Sequence, residues 1–254
     1  MLLEELKNEF LDKGKSPLPL KKWVESEQVK FLTKMNYNDM VKKYFKRDPK
    51  RDIKKSNDAF LSPADGTIIY QRKVKPNQEI VHIKGQDYTL KKLFEDEEFD
   101  KTCLIIGIFM TSYDVHINRI PYSGIKSYKD LKPIKSKNHV MDHIEDEIMK
   151  HDYKEKNFKK DDYLFDNERV ITKIQVPEKK YAYYIAQYAD KAVDAIIQYE
   201  KKQDIKVEQG ERMGIIEFGS QVDLILPIPL WGEYELLVED KWHVKAGDPL
   251  VKIK

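Results

Sequence analysis

The stretch "MGIIEFGSQVDLILP", residues 213–227, reads as one long buried strand, rich in branched side chains and closed by a proline. Its middle carries Gly219-Ser220, a small and flexible pair where a branched side chain would pack better. Runs of the same character occur at 66–74 ("GTIIYQRKV"), 79–85 ("EIVHIKG") and 102–110 ("TCLIIGIFM"). Others follow at 168–176 ("ERVITKIQV"), 181–189 ("YAYYIAQYA") and 234–240 ("YELLVED"). Gly, Pro, Asn and Asp separate them, so the sequence predicts a mainly antiparallel β core. "VKAGDPLVKI", 244–253, adds a strand, a Gly-Asp turn and a strand, the chemistry of a C-terminal β-hairpin.

Residues 1–57 read differently. Leu2, Leu3, Leu6 and Phe10, then Val29, Phe31, Leu32, Met40, Val41, Tyr44 and Phe45, recur at helical spacing around the turn "KSPLPLKKW" at 15–23. The fold class expected is therefore α+β, with a helical leader over 1–57 and the main domain over 58–254. Residues 1–55 hold 15 Lys/Arg against 9 Asp/Glu, a net +6, whereas the whole chain is +2. A basic amphipathic leader suits an anionic membrane surface. Helices packed on the core with a solvated basic face account for it equally. The highly charged segment 129–163 reads as an excursion holding one short helix between loops.

With 46 basic and 44 acidic side chains the surface is heavily charged but balanced, and a nucleic-acid partner is not indicated. The longest uncharged apolar run, 103–110, falls far short of the roughly 20 residues of a spanning helix. The N-terminus lacks the features of a secretory signal, so a cytoplasmic location is expected. Cys103 is the single cysteine and lies in that apolar run, as a core residue in a reducing compartment would.

Candidate chemistry is concentrated in four places. His139, His143 and Glu147 share one helix face and have metal-compatible spacing, but Val140 stands where the metalloprotease motif needs Glu. A solvated charged face is the better reading, and no metal is expected. "FLSPADGTI", 60–68, places Asp65 in a Pro-x-Asp-Gly turn before a strand. "FMTSYDVHINRIPYSG", 109–124, leaves an apolar strand and reaches Asp114, His116, Asn118 and Arg119. If the strand continues, alternation puts Asp114, His116 and Asn118 on one face. In the fourth, the Ser220 hydroxyl can reach the unshielded Gly219 carbonyl and, aided by a base, start an N-to-O acyl shift. A β-bulge explains the same pair without chemistry.

In this order, "SPADG", "KGQDYTLKKLF", "SYDVHINRIPYSG", "NERV", "GERMGIIEFGSQVDLILP" and "VKAGDPL" resemble the phosphatidylserine decarboxylase family of pyruvoyl-dependent enzymes, in its shorter "FGS" form. The likeness runs from about residue 58 to 254. It implies a proenzyme that cuts itself between Gly219 and Ser220, leaving fragments 1–219 and 220–254, the second of 35 residues. The ester would undergo β-elimination to dehydroalanine, which hydrolyses to a pyruvoyl group derived from Ser220; no external cofactor is implied. The pyruvoyl would take the substrate amine as a Schiff base and accept the electrons released with CO2, giving phosphatidylethanolamine from phosphatidylserine.

The resemblance also implies that Asp65 orients an imidazole, matched by His116. Longer members carry a second histidine three residues on, where Arg119 stands here. Either His116 serves both self-cleavage and decarboxylation, or Arg119 pairs with the substrate's carboxylate or phosphate. Arg119, Asn118 and Tyr113 are the candidate substrate-binding residues. The basic leader would then hold the enzyme peripherally on an anionic membrane; a homodimer is compatible but not required. Two alternatives are a pyruvoyl-dependent decarboxylase of a soluble amino acid and a non-catalytic β binding module whose last hairpin resembles lipoyl-carrier or hammerhead folds. Because 155 residues separate Asp65 from Ser220, a closed β core is expected to bring them together.

Overall fold

The computed structural model describes residues 2–78, 81–83, 86–131, 141–151, 167–190, 194–217 and 220–254. The helices are α1 (Leu2–Asp12), α2 (Leu20–Val24), α3 (Glu27–Thr33), α4 (Tyr37–Met40, continued by a wider π-type turn over Val41–Phe45), α5 (Leu90–Phe94) and α6 (Asp142–Met149). The first strands are β1 (Leu18–Pro19), β2 (Ala59–Leu61), β3 (Gly66–Val74), β4 (Val81–Ile83), β5 (Gln86–Tyr88) and β6 (Cys103–Met110). Next come β7 (Ile117–Arg119), β8 (Gly124–Leu131), β9 (Arg169–Val176), β10 (Tyr181–Ala189), β11 (Ile196–Gln198) and β12 (Ile205–Val207). The last are β13 (Arg212–Ile216), β14 (Ser220–Pro227), β15 (Tyr234–Leu236), β16 (Trp242–Val244) and β17 (Pro249–Ile253).

A strand with no polar side must be covered on both faces. Every residue of β6 is buried. Cys103, Ile105 and Phe109 enter one apolar cluster, together with Trp23 of α2, Leu93 of α5 and Ile144 of α6. Leu104, Ile106, Ile108 and Met110 enter the other, with Phe60 of β2, Ile216 of β13 and Val251 of β17. The main sheet thus has helices on one face and small sheets on the other. Its order is β1-β16-β3-β6-β14-β10-β9-β8-β12, antiparallel throughout. The three-stranded sheets are β11-β13-β7 and β15-β17-β2.

The main sheet is open, with β1 and β12 at its edges, which corrects the expected closed core. Strand adjacency achieves the convergence instead. Thr67 of β3 faces Phe109 of β6, and Ser220 of β14 faces Met110. The start of β3, the end of β6 and the start of β14 therefore lie at one end of three neighbouring strands, so Asp65 and Ser220 belong to the same rim.

Three further readings change. Residues 213–227 are not one strand: β13 and β14 belong to different sheets, and Gly219 lies outside the described residues. The C-terminal turn forms at Lys245–Asp248, but β16 pairs with β3 and β1 while β17 pairs with β15 and β2, so no hairpin results. The charged excursion begins after β8, which extends to Leu131, and its helix is α6; His139 lies outside the described residues.

The helical leader is capped by its own polar residues, Ser26 accepting from Val29 N–H and Asn36 from Asp39 N–H. It is welded to the sheet: β1 pairs with β16, and Leu20 N–H donates to Lys241 O at 2.8 Å. Gly66 makes the tightest approach at the rim, with φ +148°; a Cβ there would sit 2.3 Å from Phe109 O. Gly66→Ala is expected to cost about 2 kcal/mol or more of stability in urea unfolding, through strain and the displaced strand.

Candidate active site

Beyond β6 the chain does not continue as a strand. Asp114 N–H donates to Thr111 O at 3.0 Å, closing a turn that leads into β7. Asp114 therefore does not share a strand face with His116 and Asn118, as simple alternation suggests. Its Oδ2 accepts from Thr111 N–H at 2.8 Å and Thr111 Oγ1–H at 2.9 Å, while Oδ1 lies 2.7 Å from Nε2 of the buried His243. Trp23 stacks flat on that imidazole, with centroids 4.1 Å apart. A buried carboxylate in an apolar setting needs all its lone pairs satisfied, and here the turn and the histidine do so.

His116 is fully buried. Its Nδ1 lies 3.2 Å from the Asp114 carbonyl oxygen, which only a protonated Nδ1 satisfies. Nε2 then carries the lone pair, and it has no partner among the described residues. Burial pushes the imidazole down to about 4, although Asp114 favours the charged form, so at neutral pH His116 is a free base. Phe45 of the leader stacks on it, with centroids 3.9 Å apart. The His116 carbonyl accepts from Ile216 N–H at the end of β13, four residues before Ser220.

Asp65 lies under the rim and does not bond His116. Its Oδ1 accepts from Arg51 Nη1–H at 2.5 Å and from Ala246 N–H at 2.8 Å, and its Oδ2 accepts from Arg51 Nη2–H at 2.7 Å. Burial raises the carboxyl, but the Arg51 charge and hydrogen bonds outweigh it and hold Asp65 down at about 2. Asp65 can therefore influence His116 only through its charge, which favours a protonated imidazole.

The expected substrate ligands are placed differently. Asn118 is buried and accepts from Gln187 Nε2–H at 2.7 Å, and Gln198 donates on to Gln187 at 2.6 Å. Arg119 donates to Gly210 O at 2.8 Å and lies 3.9 Å from Asp48. Both hold the β7 edge in place. Tyr113, half-buried on the turn, packs its side chain against the leader cluster of Leu11, Leu32, Met40 and Tyr44, and its carbonyl accepts from Arg47 at 2.5 Å. Ser220 opens β14, the central strand, flanked by Met110 and Ala189; Gly219 lies outside the described residues.

Several groups were not legible in advance. Arg51, Phe45, Trp23 and His243 lie in ordinary-looking helical, loop or strand sequence; the docked leader brings the first three to the rim, and the pairing of β16 with β3 brings His243. Glu145 of α6 accepts from Ser112 N–H and Oγ–H, both at 3.1 Å, and burial pushes its carboxyl up to about 7. Asp223 of β14 accepts from Tyr70 at 2.8 Å, Tyr188 at 3.1 Å and Gln221 at 2.7 Å, and burial lifts it to about 6. An aspartate at Ser220 plus three in an apolar strand was a visible signal that carried no partner.

Among the described residues no cluster of three metal-ligating side chains occurs, and no helix is long and apolar enough to cross a membrane. Cys103 is buried and free, its thiol pushed up to about 12 by burial, as an inert core residue's would be.

The sequence profile of the phosphatidylserine decarboxylase family matches residues 40–252. The chain is 28% identical over 208 residues to a phosphatidylserine decarboxylase proenzyme of Amoebophilus asiaticus, covering 82% of this chain and 73% of that protein. It is 29% identical over 208 residues to a putative archaetidylserine decarboxylase proenzyme of Methanothermobacter thermautotrophicus, covering 82% and 78%. A phosphatidylserine decarboxylase proenzyme of Neorickettsia sennetsu is 29% identical over 210 residues, covering 83% and 75%. The chain belongs to the phosphatidylserine decarboxylase family. Its match begins at residue 40, inside the helical leader, in the segment that carries Phe45, Arg47 and Arg51.

The buried His116 also makes stability pH-dependent. Its folded value of about 4 lies below the ordinary 6.5, so between those values the unfolded chain binds more protons. The contribution is fully present above pH 6.5 and is lost as the pH falls toward 4. NMR titration should leave the His116 ring neutral at pH 6, and His116→Gln should flatten the acid limb of the stability curve.

Proposed function

We propose that the chain is a proenzyme that cleaves itself between Gly219 and Ser220 and then decarboxylates the serine headgroup of a phospholipid, phosphatidylserine in the first place. The observation that carries this is the neutral, buried His116, whose Nε2 lone pair has no partner among the described residues and whose carbonyl is tied to the strand leading to Ser220. His116 Nε2 takes the Ser220 hydroxyl proton as Oγ attacks the Gly219 carbonyl. The C–N bond breaks, the Ser220 amine takes up a proton, and an ester joins the two fragments. Elimination then removes the Cα proton of residue 220 to a base, breaks the Cβ–O bond and releases residue 219 as a carboxylate. Dehydroalanine at 220 loses ammonia on hydrolysis and leaves the ketone.

The setting fits a prosthetic group made from residue 220. That residue begins a central strand whose next residues, Gln221 and Val222, are buried. The pyruvoyl ketone supplies an electron sink for departure of the carboxylate as CO2. His116 serves as the proton carrier of the site, and the charge of Asp65 favours its protonated form when it has taken a proton. Tyr113, half-buried on the turn that leads to His116, is the residue proposed to meet the headgroup. Arg119 and Asn118 are assigned to positioning, since protein groups already engage them.

Purified protein should separate on intact-mass analysis into fragments of residues 1–219 and 220–254, the second without a free amino terminus, while Ser220→Ala stays whole. CO2 release should follow serine phospholipid and not free serine or other amino acids. A wild-type chain that stays intact under all conditions, or that turns over only a free amino acid, would refute the corresponding half of the proposal.

We also propose that the leader's basic face seats the enzyme on anionic bilayers. Lys21, Lys22, Lys42 and Lys43 are exposed, and each basic group near such a surface contributes about 1 kcal/mol. Replacing all four by Gln should weaken sedimentation with anionic vesicles by roughly two orders of magnitude or more at low salt, with little effect on neutral vesicles. Deletion of the leader is the poorer test, because it also removes Phe45 from His116.

A further inference from the structure

We infer that Arg51 is a positioning residue for maturation: it fixes the orientation and charge of Asp65 at the rim, and Asp12 of α1 fixes Arg51, which makes the docked leader part of the self-cleaving machinery. The inference rests on the reading of the chain as a self-cleaving proenzyme.

Arg51 is a two-sided clamp. One edge of its guanidinium holds both Asp65 oxygens, at 2.5 and 2.7 Å. Nε–H donates to Asp12 at 3.1 and 3.2 Å, and Nη2–H donates to Asp12 Oδ1 at 2.7 Å. A planar fork suits this double bidentate role, which an ammonium cannot reproduce. The Arg51 and Asp65 side chains are 8% and 5% exposed, so the pair is poorly screened.

A second tie reaches Asp65 from the same leader. Lys245 donates to the carbonyl oxygens of Asp12 and Gly14, at 2.5 and 2.8 Å, and Ser16 Oγ–H donates to Asp248. These bonds staple residues 12–16 to the turn whose Ala246 N–H donates to Asp65 at 2.8 Å. The carboxylate at the rim is thus held on one side by Arg51 of the leader and on the other by a turn that the leader ties down.

The charged groups around Asp65 come from every element packed on it. The leader brings Arg47, Arg51 and Asp12; β7 and its approach bring Asp114, His116 and Arg119. The last turn brings His243, Lys245 and Asp248. Arg51 is the one that hydrogen-bonds the carboxylate, so its removal leaves burial to raise Asp65.

The test follows the rate of fragment formation by intact mass as a function of pH in the full-length chain. Wild type should show no loss attributable to Asp65 down to about pH 5. Arg51→Gln should mature at least roughly 10-fold more slowly at about pH 5 and recover as the pH rises, with an apparent midpoint between about 6 and 7. Asp12→Asn should move the profile the same way by less, and Arg51→Lys should lie between wild type and Arg51→Gln. Circular dichroism across the same pH range reports whether each variant is folded. A folded Arg51→Gln that matures at the wild-type rate and profile overturns the inference while leaving the self-cleaving reading intact. A folded variant slowed equally at every pH also overturns it, because a purely structural role gives no titration. Should Arg51→Gln be unfolded, Asp12→Asn decides, and an unchanged profile there overturns the inference. If wild type never cleaves, both readings fall together.

Discussion

The uniformly apolar strand β6 constrains everything else. With no polar face it must be covered on both sides and hydrogen-bonded along both edges, and the partners that accept these terms are β3 and β14. Both run antiparallel to it. The residue before β3 and the first residue of β14 are therefore delivered to the same rim at which β6 ends, and the turn that follows carries Asp114 and His116 there too. An open sheet does this as well as a closed one, because the ladder, not closure, sets the register.

The chemistry of the rim divides between a neutral base and a fixed charge. His116 is stripped of solvent and kept unprotonated, with Nδ1 spoken for by a backbone carbonyl. Asp65 experiences a comparable burial but meets Arg51, and stays ionised. Burial keeps His116 neutral while the Arg51 guanidinium keeps Asp65 ionised, so an uncharged base and a fixed charge share the rim, a separation that acid-base work needs. The His243–Asp114 contact ties the turn that leads to His116 to β16.

The leader gains a different meaning from its contacts. Phe45 lies on His116, Trp23 on His243, Arg51 on Asp65, Arg47 on the Tyr113 carbonyl and Lys46 on Glu217 just before the crossing to β14. Its exposed lysines remain available to a lipid surface, while its inner face roofs the site. One element therefore carries both the exposed lysines and the groups that contact the rim.

The sequence by itself determined the class of fold and pointed to Gly219-Ser220 as the candidate bond. Alternation, branching and turn residues located β3, β6, β9 and β10 almost to the residue, because those strands are buried and their composition reports it. It also singled out Ser220, Asp65 and His116, through residue types whose reactivity is intrinsic. It missed β8, whose exposed Lys and Asp side chains disguise a strand with one face near solvent. It joined β13 to β14 as well, since apolar character is the same in either sheet. Only the tertiary structure decided the partners: that Asp65 meets Arg51 and not His116, that Asp114 meets a histidine 129 residues away, and that the leader covers the rim. Hydrogen bonding and desolvation depend on which atoms come within about 3 Å of each other, and local sequence carries no record of that when the partners are far apart along the chain.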